Sequence, residues 1–194
     1  MSVLAEAAYG LYGALRLLRF DTSGARYFLN DGGAAWRSFR ALWLFVPLYA
    51  GFLLLLNGNR FESGGAVLHY LGIKVAVQLV IMFAYLLITF HLLELMKRAQ
   101  RFPAFVAAYN WATVVQTLIA IVGTGLALSP GLGLEGGQVV QAVLGLFILA
   151  YAGMVVKSVL ELDWIFAVGL VALDMFVTHM VGSLSDAVLA SLRG

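Results

Sequence analysis

Residues Val171–Met180 read V-A-L-D-M-F-V-T-H-M and sit inside an apolar run that extends from about Leu162 to Val181. A helix needs about 20 predominantly apolar residues to cross a hydrocarbon core, and this run supplies them. Asp174 lies near its middle. A carboxylate at that depth costs about 2.5–3.5 kcal/mol on insertion scales, so it requires a partner or a wet cavity. Read as a last membrane-crossing helix, the stretch makes the rest of the chain the packing that renders one acid tolerable.

The composition agrees. Of 194 residues, 62% are hydrophobic and 11% charged, with a mean hydropathy of +0.95. Soluble domains run near 45–50% apolar and about 25% charged. The expectation is an all-α polytopic membrane bundle, in one unit, with no room for a second soluble domain. A net charge of +2 carries no nucleic-acid signal. The chain has no cysteine, which excludes a disulfide framework, thiolate metal ligands, covalent haem attachment and palmitoylation. The first 20 residues lack the basic start, continuous apolar core and small-residue cleavage site of a secretory signal, so insertion is expected to be driven by the mature helices.

Working back toward the N-terminus, five spans are expected: about Phe39–Leu56, Val67–Leu93, Phe105–Leu128, Val139–Val156 and Leu162–Val181. Pro47 inside the first predicts a kink. Pro103 opens the third, and Ser129-Pro130-Gly131 closes it. The glycine-rich Pro130–Gly137 reads as an outer loop. Before the spans, Ser2–Phe20 is amphipathic, with Leu4, Ala8, Leu11, Leu15 and Leu18 at helical spacing opposite Glu6, Gly13 and Arg16. Such a helix lies either in the headgroup plane or on the bundle's own end. Asp21-Thr22-Ser23-Gly24 is a turn cluster, Asp31 is placed to cap the next helix, and Trp36, Arg37 and Arg40 supply interfacial anchors. The division is therefore 1–38 interfacial segment, 39–182 five-span bundle, 183–194 C-terminal tail. The tail reads as a short surface helix over Ser183–Arg193.

Five crossings place Arg16, Arg19, Arg26, Arg37, Arg40, Lys97, Arg98, Arg101 and Lys157 on one side, with Arg60 and Arg193 on the other and Lys74 inside a span. The positive-inside rule then puts the N-terminus in the cytoplasm and the C-terminus outside, with a bacterial cytoplasmic membrane as the expected location.

Lys74 and Asp174 each lie seven residues from the outer end of their expected spans, about 10 Å deep at 1.5 Å per residue. Equal depth predicts an ion pair; the alternative is a lysine that snorkels outward alone. Polar residues form stripes: Lys74, Gln78, Tyr85 and Thr89; Asn110, Thr113, Thr117 and Thr124 with Gln116; Gln138, Gln141 and Gly145; Asp174 and Thr178. Lipid satisfies none of them, so they face neighbouring helices, either as packing or as the lining of a pathway. His91 and Glu94, followed by Lys97, Arg98 and Arg101, join Arg37 and Arg40 in a charged cytoplasmic collar, a surface for lipid headgroups or a partner. His69, His91 and His179 lack metal-ligand spacing, and no paired axial or Glu-x-x-His ligands occur, so neither metal nor cofactor is expected. Hydrolase, zinc-protease, phosphate-loop and dinucleotide motifs do not occur either.

A cytoplasmic N-terminal segment, an amphipathic stretch and five spans, with Arg101-Phe102-Pro103 and Tyr109-Asn110-Trp111 at the second and third spans, resemble the Yip-type family of five-span membrane proteins. That family is linked to membrane trafficking in eukaryotes. The resemblance covers the order of elements and carries over no functional residue. This sequence lacks the long soluble N-terminal region of the trafficking members, so a Rab-type partner is not implied. The resulting expectation is a non-enzymatic scaffold or accessory subunit whose partners are membrane lipids and another membrane protein or a second copy. The alternative is a small-solute or proton-coupled transport component using Asp174 and Lys74.

Overall fold

The computed structural model describes residues 3–57 and 63–191, with backbone alone over 188–191. Every regular element among the described residues is helical. The main ones are α1 (Val3–Leu18), α2 (Gly32–Ser38), α3 (Leu42–Asn57), α4 (Gly64–Leu95), α5 (Phe102–Ala127), α6 (Gly133–Leu160) and α7 (Trp164–Ser191). Among the described residues, five segments are long and apolar enough to cross a membrane: Gly32–Asn57, Gly64–Leu95, Ala99–Ala127, Pro130–Leu160 and Trp164–Ala187.

The first of these begins earlier than the apolar run alone indicates. Asp31 accepts a hydrogen bond from the Ala34 N–H at 2.9 Å, capping α2 as its sequence position requires. A short 3₁₀ step over Phe39–Ala41 then leads into α3, which continues through Pro47. The glycine-rich segment expected as an outer loop is instead one 3₁₀ turn, Pro130–Leu132, followed by the start of α6. One of its glycines serves close approach: a Cβ on Gly137 would lie 2.5 Å from the Ala127 carbonyl oxygen at the end of α5. The separate surface helix expected over Ser183–Arg193 is not formed, because α7 runs unbroken to Ser191. Gly182 meets nothing within 4 Å and, at about 1 kcal/mol relative to Ala, does not end a helix alone. Gly58, Asn59, Arg60 and Arg193 lie outside the described residues.

α5 is the central helix, buried over most of its first four turns against α1, α2, α3 and α6. The Ala104 N–H donates to Asn30 and the Asn110 amide to Ser38, so α2 runs alongside α5 in the same direction. At the end of the bundle where α5 begins (the near end), Arg101 meets Glu161 just past the end of α6 at 2.6 Å. Three turns there use left-handed residues other than glycine: Phe20, Lys97 and Glu161. Each is followed by an N–H that reaches back to a carbonyl five residues earlier (Asp21 to Arg16, Arg98 to Leu93, Leu162 to Lys157). This hydrogen-bond pattern closes a helix and satisfies its last carbonyls.

Helix α1 is docked on the bundle, and only in part by the stripe expected from spacing: Leu11 and Leu18 pack against the core while Ala8 is exposed. Leu4 and Leu15 point outward, whereas Gly10, Gly13, Ala14 and Leu17 are buried. Small residues win because they let the α1 backbone approach closely. Gly10 sits against the indole of Trp111, and the Tyr151 hydroxyl donates to the Ala14 carbonyl at 3.0 Å. Trp111 and Tyr151 stand on α5 and α6, so α1 crosses both.

Candidate functional site: the Asp174 cavity and the near-end charges

Helices α4 and α7 are antiparallel neighbours, and this register decides the partners of Lys74 and Asp174. The Lys74 amine meets the Asp186 carboxylate at 2.5 Å. Asp174 lies twelve residues back along α7, about 18 Å at 1.5 Å per residue, beside Tyr85 rather than Lys74. The expected Lys74–Asp174 pair is therefore replaced by Lys74–Asp186. The physical reason is the extra length of α7: a span that ended at Val181 would have placed Asp174 near the outer end, but the helix runs ten residues further.

Asp174 instead lines a cavity of about 20 Å³ enclosed by α4, α5, α6 and α7. Tyr109, Ala112 and Gln116 reach it from successive turns of α5, Val171 and Asp174 from one face of α7, Tyr85 from α4, and Ala152, Val155 and Val156 from α6. Tyr85, Phe105 and Tyr109 form a ring cluster with centroids 5.2–6.2 Å apart. No hydrogen bond or ion pair joins Asp174 to another described side chain. A cavity of this size has room for about one water, which can bridge a carboxyl to the phenol and amide groups around it. It does not admit an organic solute.

The remaining polar stripes divide. Asn110 Nδ2 donates to Ser38 Oγ at 2.8 Å, and Ser38 Oγ donates to the Ala35 carbonyl at 2.6 Å; both residues are fully buried. Gln141 donates to the buried Thr124 hydroxyl at 3.1 Å, tying α6 to α5. Thr113 and Thr117 turn back on the carbonyls of Tyr109 and Thr113, the way a helix satisfies hydroxyls in an apolar setting. Gln78 is half-buried and Thr178 exposed, and neither lines the Asp174 cavity. Tyr109 also belongs to the site although its spacing did not single it out; its position seven residues before Gln116 on one helical face was the available signal.

The near-end collar is more neutralised than a run of Lys and Arg implies. Glu6 of α1 meets Arg37 at 3.5 Å and Arg40 at 3.0 Å. Arg101 meets Glu161, His91 meets Glu94 at 3.1 Å, and Lys157 lies 5.5 Å over the Trp164 ring. Arg16 holds Asp21 at 2.5 Å. Contact with Ser23, whose N–H donates at 2.9 Å, and then with Arg16 holds the Asp21 carboxyl at about 2, below its usual 3.8. Among the described residues no group of three His, Cys, Asp or Glu side chains converges in a metal-binding arrangement.

No family model, curated protein or solved structure matches this chain.

Proposed function

We propose that the chain is a multi-pass membrane protein acting as a non-enzymatic scaffold or accessory subunit, with its near end and N-terminus on the cytoplasmic side of a bacterial membrane. In this reading α1 packs across α5 and α6 in the cytoplasmic half of the bundle and the C-terminal end of α7 faces outward. The observation that carries it is the fate of the intramembrane polar groups. Asn110, Thr124 and Gln141 are spent on joining helices, and Asp174 opens onto a space of about 20 Å³ rather than onto a solute-sized passage. The outer surfaces of α4, α6 and α7 carry exposed apolar side chains such as Phe83, Leu146 and Phe176, suited to lipid or to another membrane helix.

A second reading has one observation in its favour. An intramembrane carboxylate without an ion-pair partner among the described residues, beside room for one water, is the kind of group that proton-linked transporters use. Proteoliposome flux separates the two. The scaffold reading expects no solute or proton movement above empty liposomes and stoichiometric co-purification of a membrane partner or a second copy. Flux that disappears in Asp174→Asn overturns it.

A further inference from the structure

Two grooves lie on either side of Glu6, where α1 crosses the first span. One is a largely apolar groove of about 410 Å³ lined by Leu4, Ala7, Arg40, Trp43, Leu44 and Trp111. The smaller one runs past Arg37 and shares Glu6 and Trp111 with it. Its chemistry is graded along the first span. Arg37 and Arg40 stand at the top, with side chains 41% and 43% exposed. Trp43 and Leu44 follow one turn deeper, about 6 Å further along the helix. Glu6 meets both arginines, yet its single charge leaves the three groups at +1. Each guanidinium keeps N–H donors beyond those turned to Glu6, in the planar fork that suits phosphate oxygens.

We infer that the apolar groove binds one anionic glycerophospholipid of the surrounding bilayer, its phosphate on the N–H groups of Arg40 and Arg37 that are turned away from Glu6 and an acyl chain along Trp43, Leu44 and Leu4. Charge complementarity selects this occupant. A second copy or an apolar helix would cover the groove but leave the arginine pair facing hydrocarbon, whereas an anionic lipid satisfies both ends at once. The cytoplasmic leaflet is where such lipids attract juxtamembrane cations. Exposed Trp36 and Trp43 flank the site, and indoles favour the headgroup boundary. Glu6 fixes the spacing of the two guanidiniums and ties α1 to the site, so a bound lipid also pins α1. The inference depends on membrane insertion but not on the scaffold reading, and flux through the protein would leave it standing.

The test uses the full chain in nanodiscs of mixed phosphatidylglycerol and phosphatidylcholine, with protein-retained lipid quantified by mass spectrometry after mild extraction. Several-fold enrichment of phosphatidylglycerol is expected, falling to the bulk ratio in R37Q/R40Q. A second variant, Leu4→Glu, alters a side chain that is 83% exposed and places a negative charge in the groove; it should lose the enrichment while α1 stays docked. Should R37Q/R40Q fail to fold, Leu4→Glu decides alone. Enrichment that persists in Leu4→Glu or in a folded R37Q/R40Q, or no headgroup preference in the unsubstituted protein, overturns the inference. Full displacement of retained phosphatidylglycerol by inorganic phosphate also overturns it, because the site would then hold a free anion.

Discussion

Gly10→Ala should loosen α1 from the bundle, and the structure sets the scale. The new Cβ would overlap the Cδ1, Nε1 and Cε2 atoms of Trp111. That indole is 3% exposed and held within the core, so the ring has little freedom to swing aside. Overpacking of this kind typically costs about 1–3 kcal/mol. Complete release of α1 would forfeit the Tyr151–Ala14 hydrogen bond, about 0.5–1.5 kcal/mol. It would also uncover the fully buried Leu17, about 1.5–3 kcal/mol. A strained but docked helix is therefore favoured, with its opening made about 1–3 kcal/mol easier. Arg16 provides the assay, since it lies within α1 and trypsin cleaves after it only when the helix opens. With cleavage limited by the open population, the rate in detergent should rise roughly 5- to 150-fold. Gly32→Ala is the control, because its Cβ meets nothing within 4 Å. Equal cleavage rates for Gly10→Ala and the unsubstituted protein would refute the docking of α1 through this glycine.

Three further outcomes follow from individual contacts. A double-mutant cycle on Lys74→Met and Asp186→Asn should show coupling of about 0.2–1 kcal/mol in detergent unfolding, because the Asp186 side chain is 65% exposed and solvent weakens the pair. The same cycle between Lys74 and Asp174 should show none, and the reverse pattern contradicts the α4–α7 register. Asn110→Ala should destabilise by about 1–3 kcal/mol by leaving buried Ser38 short of its donor, and adding Ser38→Ala should cost less than the sum of the two. Additive losses in thermal unfolding would mean that the hydrogen bond is not formed. The Asp21 carboxyl titrates below its unfolded value, so its stabilisation of the α1 turn is complete above about pH 3.8 and is lost as pH falls through about 2. An NMR titration of the Ser23 amide should have its midpoint near 2, and a midpoint near 3.8 would contradict the Asp21 geometry.

The sequence was most informative where one force acts alone. Long apolar runs identify the five segments able to cross a membrane, because no other signal competes with the need to satisfy backbone groups within a helix. Asp31 revealed its cap because an Asx residue before a helix has one dominant use. Legibility fell where two forces compete. The leucines of α1 mark an apolar face, but close backbone packing at Gly10, Gly13 and Ala14 determines which face is buried, and hydrophobic spacing does not register small residues. The charge pairing failed for a different reason. Depth was counted from the end of an apolar run, while α7 continues past Gly182 through Ser183 and Asp186, whose polarity concealed the extra turns. Glu6 and Glu161 were equally hidden, since the distance in sequence between Glu6 and Arg37 leaves no local trace of their contact.

The account stands on intramembrane polar groups that hold helices together without opening a route between the two sides. The chain has no cysteine, so Gln116→Cys on that background gives a single probe beside Asp174. In sealed vesicles it can be challenged with a membrane-impermeant thiol reagent from each side in turn. The account predicts no labelling from either side, because a cavity of about 20 Å³ excludes the reagent and the surrounding hydrocarbon does not carry it. Labelling from both sides would mean a continuous aqueous path past Asp174 and would contradict it.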